Sequence, residues 1–190
     1  MTLLSIGVDP GGRNGAISVI DTNLNILLVE SAPFYLVENK NKKLKPKLNK
    51  QTGMFEDRYS SRAWTDFKKL GEVYKPFINK RNKIIYTIEK VSVRPGEGET
   101  SSFIFGDSLG IHRGMYSYLQ PIAYYEPTPQ IWKAEMKVTS DKSTSIERVE
   151  DIFQCNLKDY KKVGKVDDLA ESLLLAFYGL KNYLEEIGEV

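Results

Sequence analysis

The chain opens with an apolar run of the kind found in buried strands, and this run ends in an acid. Residues 3–8 are mostly apolar, Asp9 follows them, and a Pro-Gly-Gly turn leads at once into a second apolar segment at residues 15–21. An ionised carboxylate at the end of a buried strand is costly unless a cation, a basic side chain or backbone donors offset its charge. Asp9 is therefore both a strand end and a candidate site residue.

Apolar segments and turn residues along the chain predict an α/β fold. Short turn-rich connections favour an antiparallel meander of three strands at residues 3–9, 15–21 and 26–32. The later predicted elements, in chain order, are a helix at 63–78, a strand at 83–89, a helix at 102–119, a strand at 122–127, and helices at 129–136, 142–154 and 166–187. This order predicts a mixed five-stranded sheet flanked by helices.

Size and composition favour one ordinary domain. A length of 190 residues suits a single domain spanning 1–190, interrupted by a basic insertion at about 33–62. Cys155 is the one cysteine and cannot form an internal disulfide, which is typical of a reducing compartment. No apolar run approaches the roughly 20 residues of a membrane helix, and no signal-peptide pattern precedes the first strand. We therefore expect a cytoplasmic protein with no membrane partner.

Basic residues are concentrated in the insertion. The net charge is only +2, but the segment from Asn39 to Lys50 contains six lysines and no acid. Such a block can bind phosphate by counterion release, and it can equally be a solvated surface loop. The candidate DNA contacts in this block are Lys40, Lys42, Lys43 and Lys45.

Three further acids occur where they could join Asp9. Glu89 ends the strand at 83–89, and Asp168 and Glu171 share one face at the start of the last helix because they are three residues apart. If the first strand and the strand at 83–89 are neighbours, all four carboxylates converge. Each acid alone has an ordinary alternative, as a turn cap, a helix cap or a surface ion-pair partner.

A convergent set of carboxylates predicts a particular chemistry. Like charges raise one another's pKa, so four close carboxylates need cations to stay ionised. Oxygen ligands without His or Cys select Mg²⁺ or Mn²⁺ over zinc. Two such ions can activate water and stabilise the leaving 3′ oxygen in phosphodiester hydrolysis. The pattern therefore favours a metal-dependent nuclease.

Three motifs resemble those of RuvC-type Holliday-junction resolvases, particularly the phage-borne branch, within the RNase H-like superfamily. They are Ile-Gly-Val-Asp-Pro-Gly at 6–11, Ile-Glu-Lys-Val at 88–91 and Val-Asp-Asp-Leu-Ala-Glu-Ser-Leu at 166–173. The resemblance implies an RNase H-like fold and a Mg²⁺-dependent homodimeric endonuclease. It also implies paired symmetric nicks in four-way or three-way DNA junctions, in the host cytoplasm if the gene is phage-encoded.

The resemblance also assigns roles to residues. It implies that Asp9, Glu89, Asp168 and Glu171 are catalytic and bind two Mg²⁺ ions, or Mn²⁺, with Asp167 as the alternative to Asp168. Lys142 matches a basic residue near the family's active site and is expected to serve catalysis and DNA binding. Two departures are Glu171, where the family often has Asp, and Ser92, where its cellular members have an aromatic residue. Arg94 and Phe103, near the glycine-rich loop, are the candidates to contact DNA in place of that aromatic residue. Phe105 is the alternative aromatic residue, but we expect it to lie in the core.

Other functions remain open from the sequence. The chain could be another RNase H-like nuclease, acting on flaps or RNA–DNA hybrids, or a non-catalytic DNA-binding module of the same fold. The opening Gly-x-Asp-x-Gly pattern also occurs in kinase-like and ATPase folds, but 190 residues are too few for two such domains. Glycines at every fourth position of the helix at 102–119 would allow close packing against the sheet or a partner chain. This helix is the candidate dimer interface.

Overall fold

A sheet of five strands forms the centre of the computed structural model, which describes residues 1–11, 13–92, 96, 98–160 and 165–189. Its strands are β1 (Thr2–Asp9), β2 (Ala16–Asp21), β3 (Ile26–Ser31), β6 (Asn82–Ile88) and β7 (Ala123–Tyr125), and a separate hairpin contains β4 (Phe34–Leu48) and β5 (Phe55–Thr65). The order across the main sheet is β3-β2-β1-β6-β7. β1 and β2, and β2 and β3, pair antiparallel, whereas β6 lies parallel to β1 and β7 parallel to β6. The predicted mixed five-stranded α/β fold is confirmed.

Helices cover both faces of the sheet. They are α1 (Phe67–Tyr74), α2 (Glu99–Leu119), α3 (Pro129–Met136), α4 (Lys142–Phe153) and α5 (Val166–Glu186), with 3-10 turns at Lys75–Phe77 and Leu157–Tyr160. One core lies between the sheet and α5, with side chains from α3 and α4 joining it. The other lies on the opposite face, beneath α1 and α2. Among the described residues, no helix combines the length and apolar character that crossing a membrane requires.

The centre of the sheet brings two predicted site residues together. Val8 of β1 lies opposite Ile88 of β6 in the parallel register. The backbone N–H of Glu89 donates to the Val8 carbonyl at 3.0 Å. The carboxyl ends of parallel strands lie at the same edge of a sheet. Asp9 and Glu89, which come directly after Val8 and Ile88, are therefore neighbours at that edge. This neighbour relation was expected from the sequence.

Gly7 allows α5 to lie directly on β1. A Cβ at this position would stand 2.1 Å from the Ser172 carbonyl oxygen and 2.2 Å from the Ala176 nitrogen. Two residues earlier on β1, Ser5 donates its hydroxyl hydrogen to the Ala176 carbonyl at 2.6 Å. The close contact fixes the helix over the strand, and it holds the first turns of α5 near the end of β1 where Asp9 stands.

The segment at 33–62 has more regular structure than the sequence predicted. Its residues belong mostly to β4 and β5, which form a long antiparallel hairpin outside the main sheet. The predicted helix at 63–78 is wrong at its start, because Trp64 lies in β5 and pairs with Tyr35. The helix begins only after Asp66, whose side chain accepts a hydrogen bond from the Lys69 N–H and caps it. The apolar spacing at 63–78 did not reveal where the strand ends, and the Asp66 cap marks where the helix begins.

Candidate active site

A cleft of about 730 Å³ lies at the carboxyl ends of β1 and β6. Its lining includes all four predicted carboxylates, Asp9, Glu89, Asp168 and Glu171. Asp168 and Glu171 are each 9% exposed or less, although both are acids, and so is Glu89. Three separate elements therefore bring four largely buried acids to one place, as the sequence analysis predicted.

The electrostatics of Asp9 reflect this crowding. Burial raises the pKa of the Asp9 carboxyl well above its ordinary value, and the negative charges of Glu89, Glu171 and Asp168 raise it further. The positive charge of Lys142 acts in the opposite direction but does not cancel the effect. A site that disfavours its own negative charge in this way is one that a cation would stabilise.

Lys142 is one of the basic residues at this cluster. It is the first residue of α4, and its ammonium group hydrogen-bonds to Asp167 and lies 3.5 Å from Asp168 Oδ1. The hydrogen bond to Asp167 raises the pKa of Lys142. Burial acts to raise the pKa of Asp167, but the Lys142 hydrogen bond, the backbone hydrogen bond of Asp167 and the charges of Lys142 and Lys165 together outweigh it, and the pKa is lowered.

The two neighbouring aspartates of α5 have different surroundings. Asp168 lines the cleft, and burial followed by the charge of Asp167 raises the pKa of its carboxyl. Asp168 Oδ2 is buried and has no hydrogen-bond partner among the described residues. Asp167 is not part of the described lining. The geometry therefore favours Asp168 over Asp167 as the acid that faces the cleft.

Helix α3 supplies two residues that the sequence analysis missed. Trp132 is fully buried, and its indole Nε1–H donates to Glu89 Oε1 at 2.9 Å. Lys133, the next residue, lines the cleft and donates from Nζ to Glu171 Oε1 at 2.6 Å. A tryptophan in a short helix was the available signal, but no spacing rule connects it to an acid more than 40 residues away.

The donor set can be tested for its fit to a metal ion. Among the described residues, no three His, Cys, Asp or Glu side chains stand ready to hold one ion in the present arrangement. Lysines instead neutralise Glu171 and the Asp167–Asp168 pair. The cleft carboxylates offer only oxygen ligands. One of these, Asp168 Oδ2, is buried and has no hydrogen-bond partner among the described residues, so it is available to a cation. This chemistry fits a hard divalent cation once the lysine contacts give way.

Of the predicted DNA-binding residues, Lys142 lines the cleft, and the others are not part of its described lining or lie outside the described chain. Lys40, Lys42, Lys43 and Lys45 stand exposed on β4, and Lys43 forms an ion pair with Asp57 at 2.7 Å. Phe103 is 66% exposed and meets the edge of Trp64, with ring centroids 5.8 Å apart. Arg94 lies outside the described residues.

Other residues occupy the cleft wall near the expected stacking position. Ser92 and Phe105 line the cleft, so Phe105, rather than Phe103, is the aromatic residue in its described lining. The expected core position of Phe105 is wrong, because its side chain is 37% exposed at the cleft wall. Along α2, a Cβ added at Gly106, Gly110 or Gly114 would meet nothing within 4 Å among the described residues. The glycines therefore do not serve close packing against the sheet, which was one of the two expected causes.

Comparison with known proteins supports the fold. No protein-family model and no curated protein sequence matches the chain. Among solved structures, T. thermophilus RuvC in complex with Holliday junction substrate is similar, with a TM-score of 0.52 and 13% identity over 99% of this chain and 97% of that one. A second Thermus thermophilus RuvC structure has a TM-score of 0.51 and 15% identity over the same shares. The chain thus has a RuvC-like fold.

Proposed function

We propose that this chain is a Mg²⁺-dependent, structure-selective endonuclease that resolves Holliday junctions and related branched DNA by paired symmetric nicks. The observation that carries the proposal is the convergence of Asp9, Glu89, Asp168 and Glu171 in one cleft. The RuvC-like fold supports it, because the similar RuvC structure is in complex with Holliday junction substrate. A site for crossover-junction cleavage in this chain is our inference from those two findings.

The four carboxylates would hold two Mg²⁺ ions, or Mn²⁺ in their place. Such ions, when bound, supply the activation of water and the stabilisation of the leaving oxygen in phosphodiester hydrolysis. Trp132 holds the Glu89 carboxylate in one orientation through its indole hydrogen bond. Lys133 and Lys142, once released from their carboxylate partners, can donate charge-assisted hydrogen bonds to phosphate oxygens in the cleft.

Two symmetric nicks require two equivalent sites, so we propose a homodimer. Helix α2 is the proposed interface, because its glycine positions leave open space along one side of the helix. The exposed lysines of β4, together with Arg94 and Phe103, are proposed to contact DNA. The proposed location is the cytoplasm, or the host cytoplasm if the gene is phage-encoded.

A cleavage panel tests the proposal. End-labelled four-way junctions, three-way junctions, flaps, linear duplexes and RNA–DNA hybrids are incubated with the protein and Mg²⁺, and each strand is resolved on a denaturing gel. We expect paired nicks at symmetric positions in opposed strands of the junctions and little cutting of linear duplex. Preferred cutting of flaps or hybrids would instead identify a different RNase H-like nuclease. Junction binding with no cutting of any substrate would identify a non-catalytic module.

A further inference from the structure

The hairpin formed by β4 and β5 has a concentrated net positive charge. Its residues 34–65 include eight basic residues and three acids, a net charge of +5. The whole chain has a net charge of only +2, so the remaining residues together have a net charge of −3. On net charge, a polyanion is therefore attracted to this hairpin more strongly than to the remaining residues taken together.

The same hairpin exposes large apolar side chains. Residues 35–48 and 50–58 are exposed throughout, and at the tip Met54 is 68% and Phe55 73% exposed. Leu48 lies directly opposite Phe55 and is 45% exposed. A free two-stranded ribbon is only marginally stable in water, and exposed apolar groups of this kind mark contact surfaces. The charge and the apolar tip together indicate a partner that is both anionic and able to accept apolar contacts.

The hairpin leaves the sheet at the edge that carries the catalytic acids. Ser31 at the end of β3 lies opposite Ala16, and Ala16 lies opposite Asp9. The Ala32 N–H donates to the Gly15 carbonyl at 2.7 Å, which ties the start of the hairpin to this edge. The 11 residues of β5 span about 35 Å at a strand rise of roughly 3.3 Å per residue. This reach equals about one turn of B-form DNA.

One irregularity in the hairpin suits phosphate contacts. The register passes from Asn39 opposite Ser60 to Lys43 opposite Tyr59, so residues 40–42 bulge out of the ladder. Lys40 and Lys42 both lie in this bulge and are exposed. A bulge turns side chains away from the regular faces of a ribbon. The lysines can therefore reach a phosphate backbone while the ribbon itself lies in a groove.

We propose that the hairpin is a groove-binding ribbon that grips one duplex arm of the substrate. Met54 and Phe55 contact the arm about one helical turn from the cleaved phosphate, and the bulge lysines contact the phosphates between them. A two-stranded ribbon fits the major groove, and apolar side chains there can contact the methyl groups of thymine. The inference rests on the proposed function and adds to it a length requirement: the arm must extend far enough to reach the tip.

Varying the arm length tests this requirement directly. Binding is measured by fluorescence anisotropy for four-way junctions with arms of about 20 base pairs and of about 6, below one turn. The proteins are the wild type, Met54→Ser/Phe55→Ser, and Leu27→Ser as the matched control, since Leu27 is 46% exposed on β3. We expect the wild type and the control to bind the long-armed junction about tenfold more tightly than the short-armed one. The double variant should bind both junctions with the lower affinity.

Hydroxyl-radical footprinting and light scattering complete the test. We expect protection about one turn from the nick in the wild type and its loss in the double variant. Equal affinity of the wild type and the double variant for the long-armed junction overturns the proposal, while junction cleavage by both would leave the proposed function standing. A change from dimer to monomer in the double variant, with arm-length dependence intact, also overturns it, because the tip would then bind a second copy. Absence of cleavage by the wild type on every junction contradicts the proposed function, whatever the hairpin binds.

Discussion

Replacing Trp132 by Phe should weaken metal binding without removing any ligand. The substitution keeps an aromatic ring in the core but deletes the indole N–H that holds Glu89 Oε1 at 2.9 Å. Glu89 would then lose one of the groups that order it before the metal binds, and ordering a Glu side chain costs up to about 1.5–2 kcal/mol. At 1.4 kcal/mol per factor of ten, this predicts an affinity for Mg²⁺ about tenfold lower. Loss of an outer partner of a metal ligand commonly has an effect of this size.

Thermal unfolding at increasing Mg²⁺ concentrations measures this effect without relying on activity. A ligand that binds the folded state stabilises it by about 2.7 kcal/mol at 100 times its dissociation constant. For a chain of this size, that corresponds to a rise of about 5–10 °C in the unfolding temperature. We expect Trp132→Phe to need about ten times more Mg²⁺ than the wild type for the same rise.

The chain offers a matched control, because it contains two tryptophans. Trp64→Phe removes the indole of the other one, in β5, and should leave the Mg²⁺ requirement unchanged. In that variant Trp132 is the sole tryptophan, so its fluorescence should respond to Mg²⁺ binding at Glu89. Two results would refute the role of Trp132 in positioning Glu89. One is a Trp132→Phe variant that needs the same Mg²⁺ concentration as the wild type for the same rise in unfolding temperature. The other is Trp132 fluorescence in Trp64→Phe that does not change at saturating Mg²⁺.

Three further predictions follow from the described contacts. Gly7→Ala places a Cβ 2.1 Å from the Ser172 carbonyl oxygen. Urea unfolding should show a free energy of unfolding lower by about 3 kcal/mol or more. A loss below about 1 kcal/mol would contradict the close packing of α5 on β1. Burial lowers the pKa of His112 to about 4, so on acidification this imidazole is protonated in the unfolded chain before it is protonated in the folded one. The free energy of unfolding therefore falls by up to about 3 kcal/mol as the pH drops from about 6.5 to about 4. His112→Leu should remove that part of the pH dependence, and an unchanged urea-midpoint profile would exclude it. Asp168→Asn should reduce junction cleavage by more than about 100-fold while Asp167→Asn retains most activity, and the reverse order in gel assays would assign the cleft position to Asp167.

The sequence predicted the parts of the fold that depend on local pattern. Apolar runs interrupted by turn residues placed the strands of the meander correctly, and the acid at the end of each central strand pointed to the cleft. The parallel pairing of β1 with β6 then brought Asp9 and Glu89 together, as the order of elements had suggested. Asp168 and Glu171 could be placed because a spacing of three residues fixes one face of a helix.

Long-range contacts between unlike elements could not be predicted in the same way. Nothing in the spacing connects Trp132 with Glu89 or Lys133 with Glu171, because those contacts depend on how α3 packs against α5 and the end of β6. The hairpin was missed for a different reason. Its lysines and asparagines are poor strand formers, and its pairing contains two register shifts that break the alternation of side chains.

The central claim is that the carboxylate cleft is a metal-dependent site for cutting branched DNA, and Asp9→Asn tests it most directly. The substitution removes one negative charge while preserving shape, at a residue that feels the charges of the other three acids. With Mg²⁺ and a labelled four-way junction, we predict that the variant binds with an affinity within about threefold of the wild type, because phosphate contacts elsewhere supply most of the binding. Its cleavage rate should fall by about 1,000-fold or more, since activation of water requires the intact ligand set. Cleavage by Asp9→Asn at close to the wild-type rate would contradict the account.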